Sequence, residues 1–373
     1  MIRINFFGDF KADSVEGLCL SDDILNIIQS AQGNAINFEV PILPPPSAEP
    51  IPKSGPTHFQ DSLSTKWVEQ QGFDIISLAN NHMMDYGVEG LEMTRNAFRK
   101  SKTCGAGDWN EAYSPLIHNI DDVKIAILGL AHYEFGMLAD RWDNRYNAGV
   151  AWINHPGVDK IIVETKKHCD YLIIFAHAGV EHIEQPLPEW RDRYRSMIDL
   201  GCDAIIGSHP HIAQGWEVYN GKPIVYSLGN FYFFTKRVKA RQWHVSLLVT
   251  LMLSDKGKID LNITPLTFSE KYIEVDKSDE TLKYLSRVNL TLADDKQYED
   301  YINKICLDKL RSYDGSFGRS GYVKLSDWRR IVKAVCELIR GRGFNSVYLE
   351  NNLRCESHRW CIARGIKLRD NYQ

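Results

Sequence analysis

His209 and His211 stand one residue apart in Gly207-Ser208-His209-Pro210-His211, directly after the apolar run Ala204-Ile205-Ile206. Imidazole is the commonest neutral metal ligand, and two of them on a loop at a strand end can turn toward one point. Four other short apolar runs end in polar residues of the same kind. Asp9 follows the run from Ile4 to Gly8, and Glu39 the run from Ala35 to Phe38. Asn81 and His82 follow the run from Ile75 to Asn80, and His177 the run from Leu172 to Ala176. Ligands of open α/β sheets gather at the carboxyl ends of strands, so these strand ends predict one shared metal site.

The donor set narrows the chemistry. Asp9 and Glu39 supply anionic oxygen, His177, His209 and His211 nitrogen, and Asn81 a carbonyl oxygen. With no cysteine among them, Mn, Fe or Zn suits the set better than soft-metal or iron–sulfur chemistry. Six ligands are too many for one tetrahedral ion. They fit two divalent ions about 3.5–4 Å apart, able to bind both the attacking and leaving oxygens of a phosphoryl group. Glu39, with its two oxygens, suits the bridging position. His82 is expected beside the substrate, where it stabilises a phosphoryl oxygen or protonates the leaving group. Asp85 either orients His82 or caps the following turn. Asn80 adjoins the ligands, Glu181 is a candidate orienter behind them, and His132 also ends a strand within reach of the cleft. His58, His118, His155, His168, His244 and His358 are read as ordinary surface or core residues.

Those strand ends need a scaffold. Strands are expected at 2–7, 34–38, 73–78, 124–130, 171–176, 203–207, 223–227 and 244–252. Helices are expected at 21–30, 60–71, 88–101, 156–168 and 188–200. The alternation predicts a mainly parallel, layered α/β fold, closed by a hairpin around Lys256-Gly257-Lys258 and further strand to residue 275. Residues 41–56 hold seven prolines and leave directly from Glu39. They cannot be helix or central strand, and are expected to rim the site. From residue 276 helical periodicity takes over. Asp327 is expected to cap a helix with Ile331, Val332, Val335, Leu338 and Ile339 on one face, stopped by Gly341 and Gly343. Two regions follow: 1–275, and a helical extension, 276–373.

Composition excludes some classes. The 373 residues, 44% apolar and 25% charged, describe an ordinary folded chain. The net charge of −4 argues against a nucleic-acid binder overall. Residues 311–373 are locally basic, with 13 Lys and Arg against 6 Asp and Glu, which leaves room there for a protein or anionic partner. The eight cysteines form no C-x-x-C pair and are read as buried, reduced thiols. Cys355-x-x-His358-x-x-Cys361 lacks the fourth ligand and paired spacing of a zinc clip. Without a basic, apolar leader or an 18-residue apolar run, the expected location is cytoplasmic, with no membrane span.

The ordered set of motifs resembles the CapA family of bacterial capsule and poly-γ-glutamate synthesis proteins, within the calcineurin-like metallophosphatase superfamily. Its pieces are Gly8-Asp9, Asn37-Phe38-Glu39, the run from Ser77 to Gly87, Gly105-Ala106-Gly107, His177-Ala178-Gly179-Val180-Glu181, Gly207 to His211, and Ile224 to Phe231. The resemblance implies a four-layer αββα metallophosphoesterase-like sandwich. It implies a two-metal centre on Asp9, Glu39, Asn81, His177, His209 and His211, with His82 as the catalytic histidine. The chain departs from the pattern in three ways. Lys11 stands where a histidine is frequent, which would hold one ion more weakly, but a lysine is expected to point away into solvent. Ala178 replaces a usual tryptophan. No anchor of the kind many members carry is visible. The expected function is a metal-dependent phosphoester hydrolase, most simply of a phosphodiester in a phosphorylated small molecule or a glycan or polymer precursor. The alternative is a non-hydrolytic, metal-binding component of capsule or polyglutamate assembly, since poly-γ-glutamate contains amides rather than phosphoesters.

Overall fold

The apolar runs become two stacked mixed sheets in a computed structural model that describes residues 1–139, 147–254, 257–313 and 346–371, with Trp328 and Val332. In the larger sheet, Ile2–Lys11 runs parallel to Gly33–Phe38, which leads to Ile75–Ser77 and Lys102–Cys104. On its other side Ile2–Lys11 meets Val245–Leu253 in antiparallel pairing, and Ile259–Phe268 completes the expected hairpin. The second sheet has a parallel centre of Val123–Ala131, Tyr171–His177, Ala204–Ser208 and Lys222–Val225. Leu116–Ile120 and Trp216–Tyr219 edge it in antiparallel pairing.

Between the sheets lies a dry layer in which Ile4, Phe6 and Ile75 face Ile127, Ile173 and Ile206. Strands buried on both faces read as continuous apolar runs, and Tyr171–His177 is buried along its whole length. Helices cover the outer faces. Asp22–Gln29 starts at Ser21, whose side chain accepts from the Ile24 amide, and packs Ile24 and Ile28 inward. Val158–Lys166 and Pro188–Asp199 cover the other sheet with Ile162, Trp190 and Tyr194. The result is the layered α/β fold expected from the alternation of runs, in the four-layer αββα form that the family resemblance implies.

The C-terminal helices Asp279–Ala293, Asp295–Tyr313, Ser346–Arg354 and Glu356–Asn371 share this core. Leu292, Tyr298, Ile302, Cys306 and Cys361 pack with Trp190 and Tyr194 over the second sheet. Of the helix expected to start at Asp327 and stop at Gly341 and Gly343, Trp328 and Val332 are described and helical; the rest of it lies outside the described residues.

Two helices are shorter than their periodicity predicts: the one expected over 60–71 is Ser64–Gln70, and the other has a visible cause. The element expected over 88–101 is Gly87–Ala97. A single oxygen, Glu69 Oε1, accepts from the amides of Arg99, Lys100 and Ser101 at 2.7, 2.6 and 2.9 Å. That carboxylate takes the donors a further helical turn would need. The short edge strands Cys19–Leu20 and Lys102–Cys104, and Asn230–Phe233, which pairs with the end of Ile2–Lys11, were not expected, because each is too brief to show alternation.

Candidate metal centre

Asp9 is aimed by a bulge. Pairing with the neighbouring strand jumps from Phe7–Ile36 to Asp9–Asn37, leaving Gly8 unmatched. A Cβ at Gly8 would sit 1.9 Å from the Gly229 carbonyl oxygen, the same oxygen that accepts from the Asp9 amide at 3.0 Å. Only glycine allows that approach.

His209 and His211 are aimed by strained backbone. Both take positive φ, 97° and 59°, a region that costs a non-glycine residue about 1–3 kcal/mol. The two turns flank Pro210 and bring His209 Nδ1 to 3.1 Å from His177 Nε2, and His211 Nδ1 to 3.5 Å from Asp9 Oδ2. Asn230 fixes the His211 ring: its side-chain oxygen lies 2.9 Å from Nδ1, and its amide donates to the His211 and Trp243 carbonyls.

Around His177 Nε2 the structure gathers Asn81 Oδ1 at 3.0 Å, Glu39 Oε1 at 3.4 Å and the His209 nitrogen. All six expected ligands therefore converge. Ligand atoms of Asp9, Glu39 and His177 lie within 4.8 Å of one another. At most one proton can sit among lone pairs so crowded, whereas a cation satisfies them together. Glu39 Oε1 is buried and accepts no hydrogen bond, the orphaned acceptor expected of a metal ligand. The residues fit divalent ions.

The electrostatics agree. Among the described residues neither Asp9 nor Glu39 pairs with Lys or Arg. Burial, then the charge of Glu39, pushes Asp9 up to about 6. Burial pushes Glu39 up to about 7 and His177 down to about 4. Burial also holds His209 down. It opposes charge on His211 too, but Glu39 and Asp9 outweigh the burial of that ring and raise it. Two buried acids thus face a single imidazole that favours a positive charge.

His82 lies at the mouth. Its Nδ1 is 2.8 Å from Asp85 Oδ2, so Asp85 orients the ring. Asn80 supports the turn: its side-chain oxygen accepts from the His82 amide, and its amide donates to the Phe38 carbonyl at 2.9 Å. His132 stands behind the ligands, its ring centroid 4.3 Å from that of His209 and its amide donating to the His177 carbonyl. Glu181 is half-exposed, with His182 Nε2 3.7 Å away. It makes no hydrogen bond to the ligands, so its part is a nearby negative charge.

Several residues escaped the sequence reading. Asn37 donates to Asp9 Oδ1 at 2.8 Å and Glu39 Oε2 at 2.5 Å, joining the two carboxylates. It betrays itself only as a polar residue inside a buried strand, two positions before Glu39 and so on the same face. The proline-rich stretch does rim the site, and it delivers Lys53. The buried Lys53 ammonium is ion-paired with Asp85 and stands 3.2 Å from His82 Nδ1. Burial works against the Asp85 charge, yet His82 and Lys53 together hold its carboxyl below the usual range.

Three expectations are corrected. His58 is no bystander: its amide donates to Asp85 Oδ2 at 2.6 Å and its ring lies 5.0 Å from that of His82. Lys11 does not reach solvent. It is buried, ion-paired with Asp13, its ammonium 5.4 Å from the centre of the Phe233 ring. The described cysteines are free thiols as expected, but Cys19 is exposed.

A family model described as "Bacterial capsule synthesis protein PGA_cap" matches residues 15–235. "Capsule biosynthesis protein CapA" of Bacillus anthracis is 31% identical over 242 residues, 63% of this chain and 57% of that protein. "PGA biosynthesis protein CapA" of Bacillus subtilis (strain 168) is 32% identical over 249 residues, 65% of this chain and 63% of that protein. The chain thus spans less than two thirds of the length of these curated relatives. The crystal structure of 5'-nucleotidase from Candida albicans SC5314 aligns over 82% of this chain and 59% of its own, at 13% identity and a TM-score of 0.40. No helix among the described residues is long and apolar enough to cross a membrane.

Proposed function

This chain belongs to the bacterial capsule synthesis protein family, and from that premise we propose that it is a metal-dependent phosphoester hydrolase with a two-ion centre. The observation that supports this most is the buried Asp9–Glu39 pair, with an orphaned Glu39 oxygen 3.4 Å from His177 Nε2, the nitrogen on which Asn81 and His209 also converge. Asp9, Glu39, Asn81 and the three histidines would hold the ions, Mn, Fe or Zn. When bound, such ions supply Lewis-acid activation of water and of the phosphoryl oxygens.

The chain's own groups do the rest. Asp85 fixes His82 through Nδ1, which leaves Nε2 for the substrate. As the phosphorus–oxygen bond to the leaving group breaks, His82 Nε2 gives its proton to the departing oxygen. The proton from the attacking water passes to solvent, and solvent restores His82. Lys53 helps keep Asp85 ionised and so keeps it an acceptor that holds the His82 ring. Asn37 keeps both carboxylates facing inward. The substrate is a phosphodiester in a small molecule or a capsule or polyglutamate precursor, in keeping with the names of the relatives.

The test is hydrolysis of an aryl phosphodiester by Mn-loaded protein, with His82→Ala in parallel. Metal-dependent turnover that falls about 100-fold in the variant, the scale of a general acid, is expected. No turnover above the variant, with metal still bound, would replace this reading by a non-hydrolytic role in polymer assembly.

A further inference from the structure

Outside the strand-end cluster, three side chains of different chemistry converge where the C-terminal helices meet the sandwich. His132 and Glu134 follow the strand Val123–Ala131, and Cys355 lies between the helices Ser346–Arg354 and Glu356–Asn371. Their ligand atoms all lie within 4.8 Å of one another, and the group shares no residue with Asp9, Glu39 and His177. All three are buried: His132 is 1% exposed, Glu134 8% and Cys355 0%.

The His132 ring is held through one nitrogen and leaves the other unused. Nδ1 stands 3.1 Å from Ser357 Oγ, which also accepts from Trp190 Nε1 at 2.9 Å. Nε2 is buried without a hydrogen-bond partner and stands 3.9 Å from Glu134 Oε1. A nitrogen kept from water and given no partner is costly. With its proton on Nδ1 toward Ser357, the ring offers an Nε2 lone pair to the space between Glu134 and Cys355. A partner on the far ring nitrogen fixes the tautomer and orientation of a metal-binding histidine in this way.

We propose that His132 Nε2, a Glu134 carboxylate oxygen and Cys355 Sγ hold a zinc-class divalent cation, separate from the strand-end centre. The donors select the ion. A thiolate turns away Mg, Ca and Mn, while a single sulfur beside a carboxylate does not make a copper(I) or iron–sulfur site. Three protein ligands leave one position for water. Binding releases the Cys355 thiol proton to solvent, and the thiolate and carboxylate then balance the two charges of the ion. Cys361 is not a ligand, because its thiol is hydrogen-bonded to Cys306. The cation would tie the start of the last helix to the wall behind His209. This site uses none of the strand-end ligands, so it stands or falls apart from the hydrolase reading.

The experiment uses the full chain carrying Asp9→Asn, which weakens the strand-end centre, loaded with cobalt(II) as a spectroscopic substitute for zinc. Expected is a near-ultraviolet cobalt–thiolate absorption band that is lost in Cys355→Ser and kept in Cys361→Ser. A spectrum without that band, or a band that survives Cys355→Ser, overturns the proposal. If Cys355→Ser does not fold by circular dichroism, zinc-edge X-ray absorption of the Asp9→Asn chain decides without it. One sulfur among nitrogen and oxygen neighbours supports the site, and nitrogen and oxygen alone overturn it.

Discussion

Two acidic clusters among the described residues, the partly buried Glu217 and the fully buried Asp9–Glu39 pair, are neutralised in opposite ways. At the edge of the second sheet, Glu217 accepts from Arg195 Nε at 2.9 Å, Arg191 Nη2 at 3.0 Å and the Tyr226 hydroxyl at 2.6 Å. Partial burial opposes ionisation there, but these donors outweigh it and hold Glu217 down to about 2. At the strand ends Asp9 and Glu39 have no such cation, and burial lifts them to about 6 and 7. The first cluster is complete within the chain, and its acid serves stability. The second is built at a cost to stability and left short of positive charge. That is the signature of a group arranged for something that arrives from outside.

Substitution can break that contrast. Glu39→Gln should weaken Mn or Zn binding by roughly 100-fold or more, beyond the roughly 10–100-fold expected when only a group that orients a ligand is lost, as read by titration calorimetry. The metal-free variant should be no less stable, because an amide removes a buried charge. A metal-free Glu39→Gln protein that melts well below the parent would sink the comparison.

Glu217→Gln should do the reverse: leave metal binding alone and cost about 2–3 kcal/mol, the scale of hydrogen bonds to a charged group. The sign follows from the lowered pKa. A carboxylate with an ordinary value of 4.5 and a folded value of about 2 stabilises the fold above pH 4.5. It loses that contribution as pH falls toward 2. Denaturant titrations over that window should show the parent losing more stability than the variant, and equal losses would contradict the assignment.

Asn37→Ala should lower metal affinity about tenfold, at the low end for a group that orients ligands. It removes the bridge between the two carboxylates without removing a ligand, and an unchanged affinity would mean that the carboxylates hold themselves. Glu69→Gln, which weakens the anchor of three amides, should cost only about 1 kcal/mol with metal binding intact, as judged by thermal melts.

The strand-end ligands could be read because each closes an apolar run, and a parallel strand buried on both faces writes its whole length in apolar letters. Asp9, Glu39 and His177 are legible for that reason. The turn at His209-Pro210-His211 shows its residue types but not the positive φ that aims them. Lys53 and His58 sit in or beside a proline-rich stretch without periodicity, so nothing local says which way they point. Lys11 was misread because lysine is seldom buried, while here Asp13 and Phe233 compensate it. Glu134 and Cys355 lie more than two hundred positions apart, and no short-range pattern joins them.

The hydrogen bond from His132 to Ser357 spans 225 positions, and this has a consequence in time. At about 5–20 residues per second, a ribosome needs roughly 10 to 45 seconds to travel from one to the other. Until then Trp190 lacks its acceptor and the outer face of the second sheet lacks Cys306, Cys361 and their neighbours. A nascent chain can therefore assemble the strand ends that hold Asp9, Glu39 and His177 while the wall behind them is still open. The order of synthesis leaves a period in which ions can enter before the last helix closes that wall.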